Sequence, residues 1–504
     1  MLEIWIPCTG QRRRRHAVAA VAVAAALLSA PAAGGQAPQP AAAGAHAVVW
    51  RDAGGTYHAD HRSGRVASGT DFIDVTQAAL DSLTEGRDWQ ERVLVSADAE
   101  IGPAERERRL RLPGHTVFDV AGTLTVTDQQ RRITVVHALN ASHIDIPRLK
   151  VRGSPRFGLH LQSVSHVHLG DIRMEVDGAG VRIDHNRGRR PGEQAVRSSD
   201  IRIDRITVIM PGRGGHGLET YGVDRLQIGS VTGERTGQSV VQLNDTRDAS
   251  IASVTGLHPD PESGYATLRV ANGCERIAVG RVLARGGARG VFIMSGSSNV
   301  TVTSVQLTGQ ERQGILIEDA RNVQVLGGVV RNGNGVAVRV ASRRPGQGPG
   351  PDQPPSEGVA ISGLRIVDDR AQPRQQWGIL ETGPGTGYNR YTDNDLRGAG
   401  TRGGIQIHAA TSVVRDNSGG GVAAGTVVLQ PGRTPAAVIE VPEVPSAASP
   451  RLRARVVDPP DTDAAWGWSA PAIHDRRRGG WRFELDWTSD PGVELELEYV
   501  VDQN

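Results

Sequence analysis

A short apolar pattern recurs along the middle of this chain, and most of its intervals lie in the low to middle twenties of residues. The first apolar residues of successive copies are Leu159, Val181, Leu218, Val241, Leu268, Val291, Ile315 and Val336. This interval is typical of one coil of a parallel β-helix, whereas a β-propeller needs units nearer ~40 residues and a sandwich needs regular Asn-Gly or Asp-Gly turns. We therefore predict an all-β solenoid, with right-handed coils because parallel crossovers are nearly always right-handed.

The composition agrees with a solenoid and argues against several kinds of partner. The chain has 63 glycines among its 504 residues and only 4% aromatic residues, which suits many tight turns around a narrow aliphatic core. Its formal net charge is +2, so no overall field attracts nucleic acid or a membrane surface. We expect a monomer that binds no nucleic acid.

The N-terminal residues predict export. Arg12 to Arg15 precede an apolar run at residues 17–28, and Ala30-Pro-Ala32 supplies a small-residue cleavage site. We assign residues 1–32 to a signal peptide and expect a secreted or periplasmic protein with no membrane segment after cleavage. Cys8 leaves with the signal, so Cys274 is left without an internal disulfide partner.

The rest of the chain divides into four predicted segments. Residues 33–66 are an N-terminal extension, and residues 67–430 are the β-helix domain. Phe72, Val75, Ala79 and Leu83 repeat at helical spacing and predict a helix that covers the N-terminal end of the solenoid core. Residues 431–449 are rich in Pro, Ala and Val and predict a linker, followed by a small β domain at residues 450–504. In that domain, alternation over residues 481–487 and 493–499 predicts a β-hairpin.

Leu112-Pro-Gly-His-Thr116 and Gly122-Thr123 lead from the predicted helix into the first coils. Together with the helix-capped stack, these segments resemble the pectin-lyase-like superfamily of parallel β-helices over roughly residues 71–420. That superfamily contains polysaccharide lyases, glycoside hydrolases, epimerases and phage tailspikes. The resemblance therefore implies a saccharide ligand without selecting the reaction.

Two shorter motifs are similar to those of individual families. Gly215-His-Gly217 resembles the Gly-His-Gly of polygalacturonases, but the paired aspartates upstream and the Arg-Ile-Lys downstream are absent from this sequence. Ile183-Asp-His185 resembles one fragment of a pectate lyase motif whose other parts are absent. No family role is carried over to these residues.

Outward side chains of the stacked strands should form columns on one face, because every second residue of a strand points outward and coils stack at ~4.8 Å. One predicted column contains His160, Arg182, Glu219, Gln242, Arg269, Phe292, Leu316 and Ala337. The adjacent predicted column contains Gln162, Asp184, Tyr221, Asn244, Ala271, Met294, Glu318 and Arg339. Ionisable and amide side chains fill the coils up to Arg269 and apolar ones follow, so the polar coils are the expected site.

Asp184 and Glu219 are the candidate catalytic carboxyl groups. They lie one coil apart on a diagonal, at an expected Cβ separation of ~7 to 8 Å. Glycosidic hydrolysis needs one protonated and one ionised carboxyl group, and neighbouring like charges push two pKa values apart. The alternative is a surface ion pair between Arg182 and Glu219 that contributes little to stability.

Further residues beside this pair are candidates for supporting roles. His216 is a candidate proton carrier, and Asp245 is either a third catalytic acid or a turn former. The Arg-rich insert at residues 185–197 suits a substrate with carboxylate or sulfate groups. The predicted substrate-binding residues are Arg182, His185, Tyr221, Gln242, Asn244, Arg269, Asn272, Arg289 and Phe292.

The sequence favours a polysaccharide-degrading glycoside hydrolase. We expect no metal and no other cofactor, because the sequence contains no zinc-ligand spacing, no calcium cluster and no phosphate-binding glycine loop. The first alternative is a lyase that cleaves a uronate-containing glycan by β-elimination, with Arg269, His216 or Tyr221 in the site. The second alternative is a non-catalytic β-helix that binds glycan.

Overall fold

The computed structural model describes residues 44–185, 195–211, 214–344, 353–409, 411–419, 423–441, 451–456, 467–475, 480–490 and 492–502. Thirty of the described strands form one sheet, which winds into a β-solenoid of about 12 turns, as the repeat predicts. The predicted signal peptide lies outside the described residues. Within the described part of the chain, no helix is long and apolar enough to cross a bilayer.

Each coil contributes strands to three faces of the solenoid. The first face contains Arg108–Arg111, Ile133–Leu139, Phe157–Gln162, Ala179–Asp184, the starts of Leu218–Glu234 and Val241–Leu257, Ala266–Ala271, Arg289–Met294, Ile315–Glu318, Val338–Ala341, Trp377–Thr382 and Gly403–Gln406. The other two faces contain the later parts of Leu218–Glu234 and Val241–Leu257, together with Glu91–Val95, Ala99–Ile101, Thr116–Val120, Thr123–Val126, Ser142–Gly153, Ser165–Val176, Ser198–Ile209, Glu275–Arg285, Ser298–Thr308, Arg321–Val325, Gly328–Arg331, Ala360–Ser362, Leu364–Val367, Arg390–Thr392 and Val413–Arg415. The candidate site lies on the first face.

Three antiparallel strands precede the first coil. They are Ala47–Arg51, Tyr57–His61 and Gly64–Gly69. Ala47–Arg51 also pairs in parallel with Glu91–Val95, so these strands belong to the solenoid sheet. The sheet therefore begins within the segment predicted as an extension.

Inward-facing aliphatic side chains stack from coil to coil along the first face. Backbone pairing aligns Leu159, Val181, Leu218, Val241 and Leu268 in one row, and all five are buried. Branched aliphatic side chains pack well on such a pleated surface. Because successive residues alternate sides, this buried row fixes which residues of the same strands point outward.

The helix Phe72–Asp81 covers the N-terminal end of the core, as predicted. The side chain of Asp71 accepts a hydrogen bond from the backbone N–H of Asp74 and so caps the helix. Phe72, Val75 and Ala79 are buried in the same apolar cluster as the coils. The helix thus shields the apolar end that an uncapped solenoid would expose.

The C-terminal strands form two sheets rather than the predicted hairpin. One sheet contains Ala423–Leu429, Arg451–Val456 and Leu495–Asp502, and the other contains Ala437–Val441, Gly467–Ser469, Ala472–Asp475 and Gly480–Ser489. Phe483, Leu485, Leu495 and Leu497 are buried in one shared core, and the two strands that carry them belong to different sheets. Ala437–Val441 lies inside the segment predicted as a linker.

A buried carboxyl group organises the last coils of the solenoid. Glu381 is 1% exposed, and its Oε2 accepts hydrogen bonds at 2.8 Å from Tyr391 Oη, Asn389 Nδ2 and Ser412 Oγ. Its Oε1 accepts the backbone N–H of Ala409 at 3.0 Å. This one side chain therefore satisfies four donors from three later segments.

Replacing Glu381 by Ala is expected to lower the free energy of unfolding by about 3 kcal/mol or more, because the buried donors lose their acceptor. Urea unfolding followed by tryptophan fluorescence measures the loss. Glu100→Ala, at an exposed position, is the control and should change stability by less than about 0.5 kcal/mol. Equal stability of the two variants would contradict a structural role for Glu381.

Candidate active site on the first face

The first face assembles the two predicted columns. Backbone pairing aligns His160, Arg182, Glu219, Gln242, Arg269, Phe292 and Leu316 in one column. It aligns Gln162, Asp184, Tyr221, Asn244 and Ala271 in the adjacent column. The predicted register of the last coil is wrong by two residues. Arg339 pairs with Leu316 and therefore occupies the position in the first column that was predicted for Ala337.

Arg182 bridges the carboxyl groups of Asp184 and Glu219. Its Nε donates to Asp184 Oδ2 at 2.7 Å, and its Nη1 donates to Glu219 Oε2 at 3.0 Å. The side chain of Asp184 is 9% exposed and that of Glu219 is 19% exposed. Because one guanidinium binds both carboxyl groups, the two lie close enough to act on one glycosidic bond. The ion pair between Arg182 and Glu219 is thus present as half of this bridge.

The surroundings shift the two carboxyl pKa values in opposite directions. Burial raises the pKa of Glu219 above its usual 4.5, and the nearby charge of Asp184 adds to the rise against the opposing charge of Arg182. Burial also acts to raise the pKa of Asp184, but His160 and Arg182 outweigh it and hold that pKa below the usual 3.8. His160 Nε2 lies 3.2 and 3.3 Å from the two carboxylate oxygens of Asp184. Asp184 is therefore the ionised member of the pair and Glu219 the one that keeps its proton longer.

His216 lies beside Glu219 as a neutral ring. Its Nε2 is 3.9 Å from Glu219 Oε1, and its Nδ1 accepts the backbone N–H of Ser239 at 3.2 Å. Burial, together with the charges of Arg269 and Arg182, lowers the pKa of His216 to about 3. The neutral ring therefore carries its proton on Nε2, where it points toward Glu219.

A network of amides continues the site past Glu219. Gln242 Nε2 and Asn272 Nδ2 each donate to Asn244 Oδ1 at 2.8 Å, and Asn244 Nδ2 donates to the carbonyl of Thr220 at 3.2 Å. Arg269 Nη1 donates to Gln242 Oε1 at 3.0 Å. These four predicted substrate-binding residues form one connected network, which holds their side chains in fixed positions.

Arginine side chains cover the aromatic ring of Phe292. The guanidinium carbons of Arg269 and Arg289 lie 5.5 and 4.8 Å from its ring centre, and Phe292 is only 8% exposed. Arg269 also lies 5.2 Å from the ring centre of Tyr265. The half-buried guanidinium groups of Arg269 and Arg289 therefore cover the buried Phe292 ring, and a sugar would meet them before the ring.

Comparison with known proteins identifies the architecture. No family model and no curated protein matches the chain. The A-module of mannuronan C-5 epimerase AlgE6 from Azotobacter vinelandii aligns with a TM-score of 0.53 and 16% identity, covering 69% of this chain and 95% of the module. The chain is a right-handed parallel β-helix.

Two further solved β-helices match at lower similarity. The A-module of the Azotobacter vinelandii epimerase AlgE4 has a TM-score of 0.42 and 16% identity over 68% of this chain and 96% of the module. The Gp54 tailspike of Acinetobacter baumannii bacteriophage AP22, solved with capsular saccharide, has a TM-score of 0.35 and 10% identity over 86% of this chain and 94% of its own. The alignment with the AlgE6 module supports the fold, and at 16% identity it supports nothing beyond the fold.

Asp245 lies outside the bridge formed by Arg182. It follows Asn244 within the strand Val241–Leu257, at a left-handed backbone position with φ 42°, and its Oδ2 accepts a hydrogen bond from Arg197 Nη1 at 2.6 Å. Arg197 also binds Asp224 at 2.8 Å. Asp245 is therefore held in an ion pair inside a strand, apart from the bridge between Asp184 and Glu219.

His185 and Tyr221 lie beyond Asp184 on the same face. Their rings meet edge to face with centres 5.4 Å apart. The other arginines of the insert after His185 lie outside the described residues, except for Arg197. His185 and Tyr221 therefore both lie next to Asp184 and remain candidate sugar contacts.

Sequence reasoning missed two residues of the β-helix site. His160 was placed in the correct column but received no role, because only the fold shows that its ring reaches the Asp184 carboxylate one coil away. Tyr265 lies at the end of an irregular loop, and its ring meets that of His216 at 5.1 Å. Loop residues have no periodic signal, so no sequence pattern predicted this contact. Among the described residues, no cluster of three or more potential metal ligands is present.

Proposed function

We propose that this β-helix is a glycoside hydrolase that cleaves polysaccharide at Asp184 and Glu219. The observation that carries the proposal is the shared guanidinium of Arg182 with opposite pKa shifts on the two carboxyl groups. Pairs of carboxyl groups with separated pKa values are the usual source of acid and base in glycosidases. The fold supports a saccharide substrate by analogy only.

In the proposed reaction Glu219 donates its proton to the glycosidic oxygen as the bond to the anomeric carbon breaks. The bonding electrons go to the leaving oxygen, and the positive charge that develops on the sugar faces the ionised Asp184. Water supplies the new bond to the anomeric carbon. In the inverting route Asp184 accepts the proton of the attacking water, and in the retaining route Asp184 first forms an ester with the anomeric carbon, which water then hydrolyses as its proton returns to Glu219. Both the inverting and the retaining routes use one protonated and one ionised carboxyl group in this way. Arg182 holds the two groups in place, and the neutral His216 leaves the proton on Glu219.

β-Elimination is less well supported by the same geometry. An elimination base must accept a proton from the sugar, and His216 is a poor acceptor because its Nδ1 is occupied by Ser239 and its Nε2 carries the ring proton. Elimination also needs a cation that neutralises the uronate carboxylate. Arg182, the nearest guanidinium to the acid pair, is already bound to Asp184 and Glu219.

Incubation of the purified protein with a panel of neutral and acidic polysaccharides tests the proposal. Hydrolysis releases new reducing ends without the ultraviolet absorbance of an unsaturated sugar. New absorbance would favour a lyase, and retention of a glycan without any products would favour a binding protein. Either result would overturn the hydrolase assignment.

The pH dependence should reflect the two shifted carboxyl groups. Activity requires ionised Asp184, so it should fall as the pH drops through a pKa below 3.8. Activity also requires protonated Glu219, so it should fall as the pH rises through a pKa above 4.5. Measurements of kcat/KM across pH report the groups of the free protein and should give a bell-shaped profile that is wider than two unshifted carboxyl groups would produce. A profile with no fall on the alkaline side would contradict Glu219 as the acid.

A further inference from the structure

Three half-buried arginines of the first face, Arg269, Arg289 and Arg339, lack a carboxylate partner among the described residues. Arg269 binds Gln242, Arg289 binds Gln313 at 2.7 Å and the carbonyl of Gly264, and Arg339 binds Thr382 at 3.3 and 3.4 Å. Their bonds therefore go to neutral oxygens, apart from a sulfur contact of Arg269 with Met294.

Ion-paired arginines are common elsewhere in the same β-helix. Arg197, Arg225, Arg276 and Arg343 each bind a described aspartate. The three unpaired guanidinium groups of the first face therefore form a local positive patch, although the net charge of the whole chain is only +2.

The three guanidinium groups also repel one another. Burial, together with the charges of Arg312, Arg269 and Arg339 and against the nearby Glu318, lowers the pKa of Arg289 to about 10. Burial likewise lowers the pKa of Arg269. Partly desolvated like charges cost free energy in the empty protein, and an anion bound among them would offset that cost.

The register places this patch to one side of the acid pair. Arg269 follows Glu219 in the same column after Gln242, which puts its backbone about 10 Å further along the face at ~4.8 Å per coil. Its charge still acts on Glu219 and His216. Arg339 lies three coils beyond Arg269 in that column, so the positive charge begins beside Glu219 and extends along the face away from Asp184.

We propose that Arg269, Arg289 and Arg339 bind anionic groups on sugars that flank the cleaved bond, so that the substrate is an acidic glycan. The sugar at Asp184 and Glu219 need not be charged, because an anion there would be repelled by Asp184 and would find Arg182 already occupied. The aromatic rings of Tyr265 and Phe292 hold Arg269 between them and so fix one of the binding groups. This inference rests on the proposed cleavage at Asp184 and Glu219.

Binding is measured by calorimetry with Glu219→Gln protein, so that no probe is consumed. Two matched probe pairs separate carboxylate from sulfate recognition: oligogalacturonides against their methyl esters, and dextran sulfate against dextran. At least one anionic probe should bind more tightly than its neutral partner. Removing one guanidinium, as in Arg289→Gln, should weaken that binding about tenfold or more.

The control is Arg276→Gln, which removes an exposed arginine that is paired with Asp248 on another part of the surface. It should leave the affinity unchanged. Arg339→Gln is the second test variant. The side chain of Arg339 is hydrogen-bonded to Thr382 alone among the described residues, so its loss should disturb folding little. Equal binding of anionic and neutral probes, or undiminished binding by folded Arg289→Gln and Arg339→Gln, would overturn the proposal.

The two proposals fail in different ways. Arginine-dependent binding of an anionic probe with no release of reducing ends by the native protein would support the anion subsite and overturn the hydrolase assignment. Release of reducing ends from neutral glycans alone would support the hydrolase and overturn the anion subsite.

Discussion

Glu219→Gln is expected to lower kcat by about 10²- to 10⁴-fold, the usual contribution of a general acid. The glutamine keeps the size of the side chain and can still accept the hydrogen bond from Arg182, but it has no acidic proton for the leaving oxygen. Reducing-end assays on an accepted polysaccharide measure the loss. The melting temperature should change little, because the glutamine side chain occupies the same position on the first face.

Asp245→Asn is the matched control for that experiment. Asp245 is a carboxylate that directly follows Asn244 of the site, but it is ion-paired with Arg197. Its substitution should leave kcat within about threefold of the native value. If Glu219→Gln also remained within that range, Glu219 would not be the catalytic acid.

Asp184→Asn should also lower kcat by about 10²-fold or more, because the developing positive charge on the sugar loses its ionised partner. This substitution has a second effect that a purely structural role would not produce. The charge of Asp184 raises the pKa of Glu219, so its removal should shift the alkaline side of the pH profile of the remaining activity to lower pH. If the pH profile of the remaining activity kept its native alkaline side, Asp184 and Glu219 would not be electrostatically coupled.

Asp200→Asn is the control for Asp184. Asp200 is also bound by an arginine, Arg225, at 2.6 and 2.7 Å. It lies in the strand Ser198–Ile209, which is not part of the first face. The variant should keep the native kcat and the native pH profile. A loss like that of Asp184→Asn would mean that ion pairs anywhere on the solenoid affect turnover through stability.

The alternating pattern predicted the coils and most of the columns. The first column is correct from His160 to Leu316. The pattern failed at Arg339 because Val336, Val338 and Val340 all satisfy the same alternation. A slip of two residues keeps every side chain on its own face, so hydrophobicity cannot detect it.

The chemistry of the site was only partly predictable. Asp184, Glu219 and Arg182 were recognised because they are polar and lie on consecutive coils. The bridge through one guanidinium, the tautomer of His216 and the contact of Tyr265 with Arg269 depend on side-chain positions and on an irregular loop. The hairpin predicted near the C-terminus failed for a related reason, since alternation identifies a strand but not the strand it pairs with.

A crystal structure of the Glu219→Gln protein with a bound oligosaccharide tests the central claim most directly. The account predicts a glycosidic oxygen within hydrogen-bond distance of the side chain at position 219, with the Asp184 carboxylate facing the anomeric carbon of the same bond. An oligosaccharide bound on either of the other two faces would contradict it. So would an oligosaccharide bound on the first face with no glycosidic bond between these two side chains.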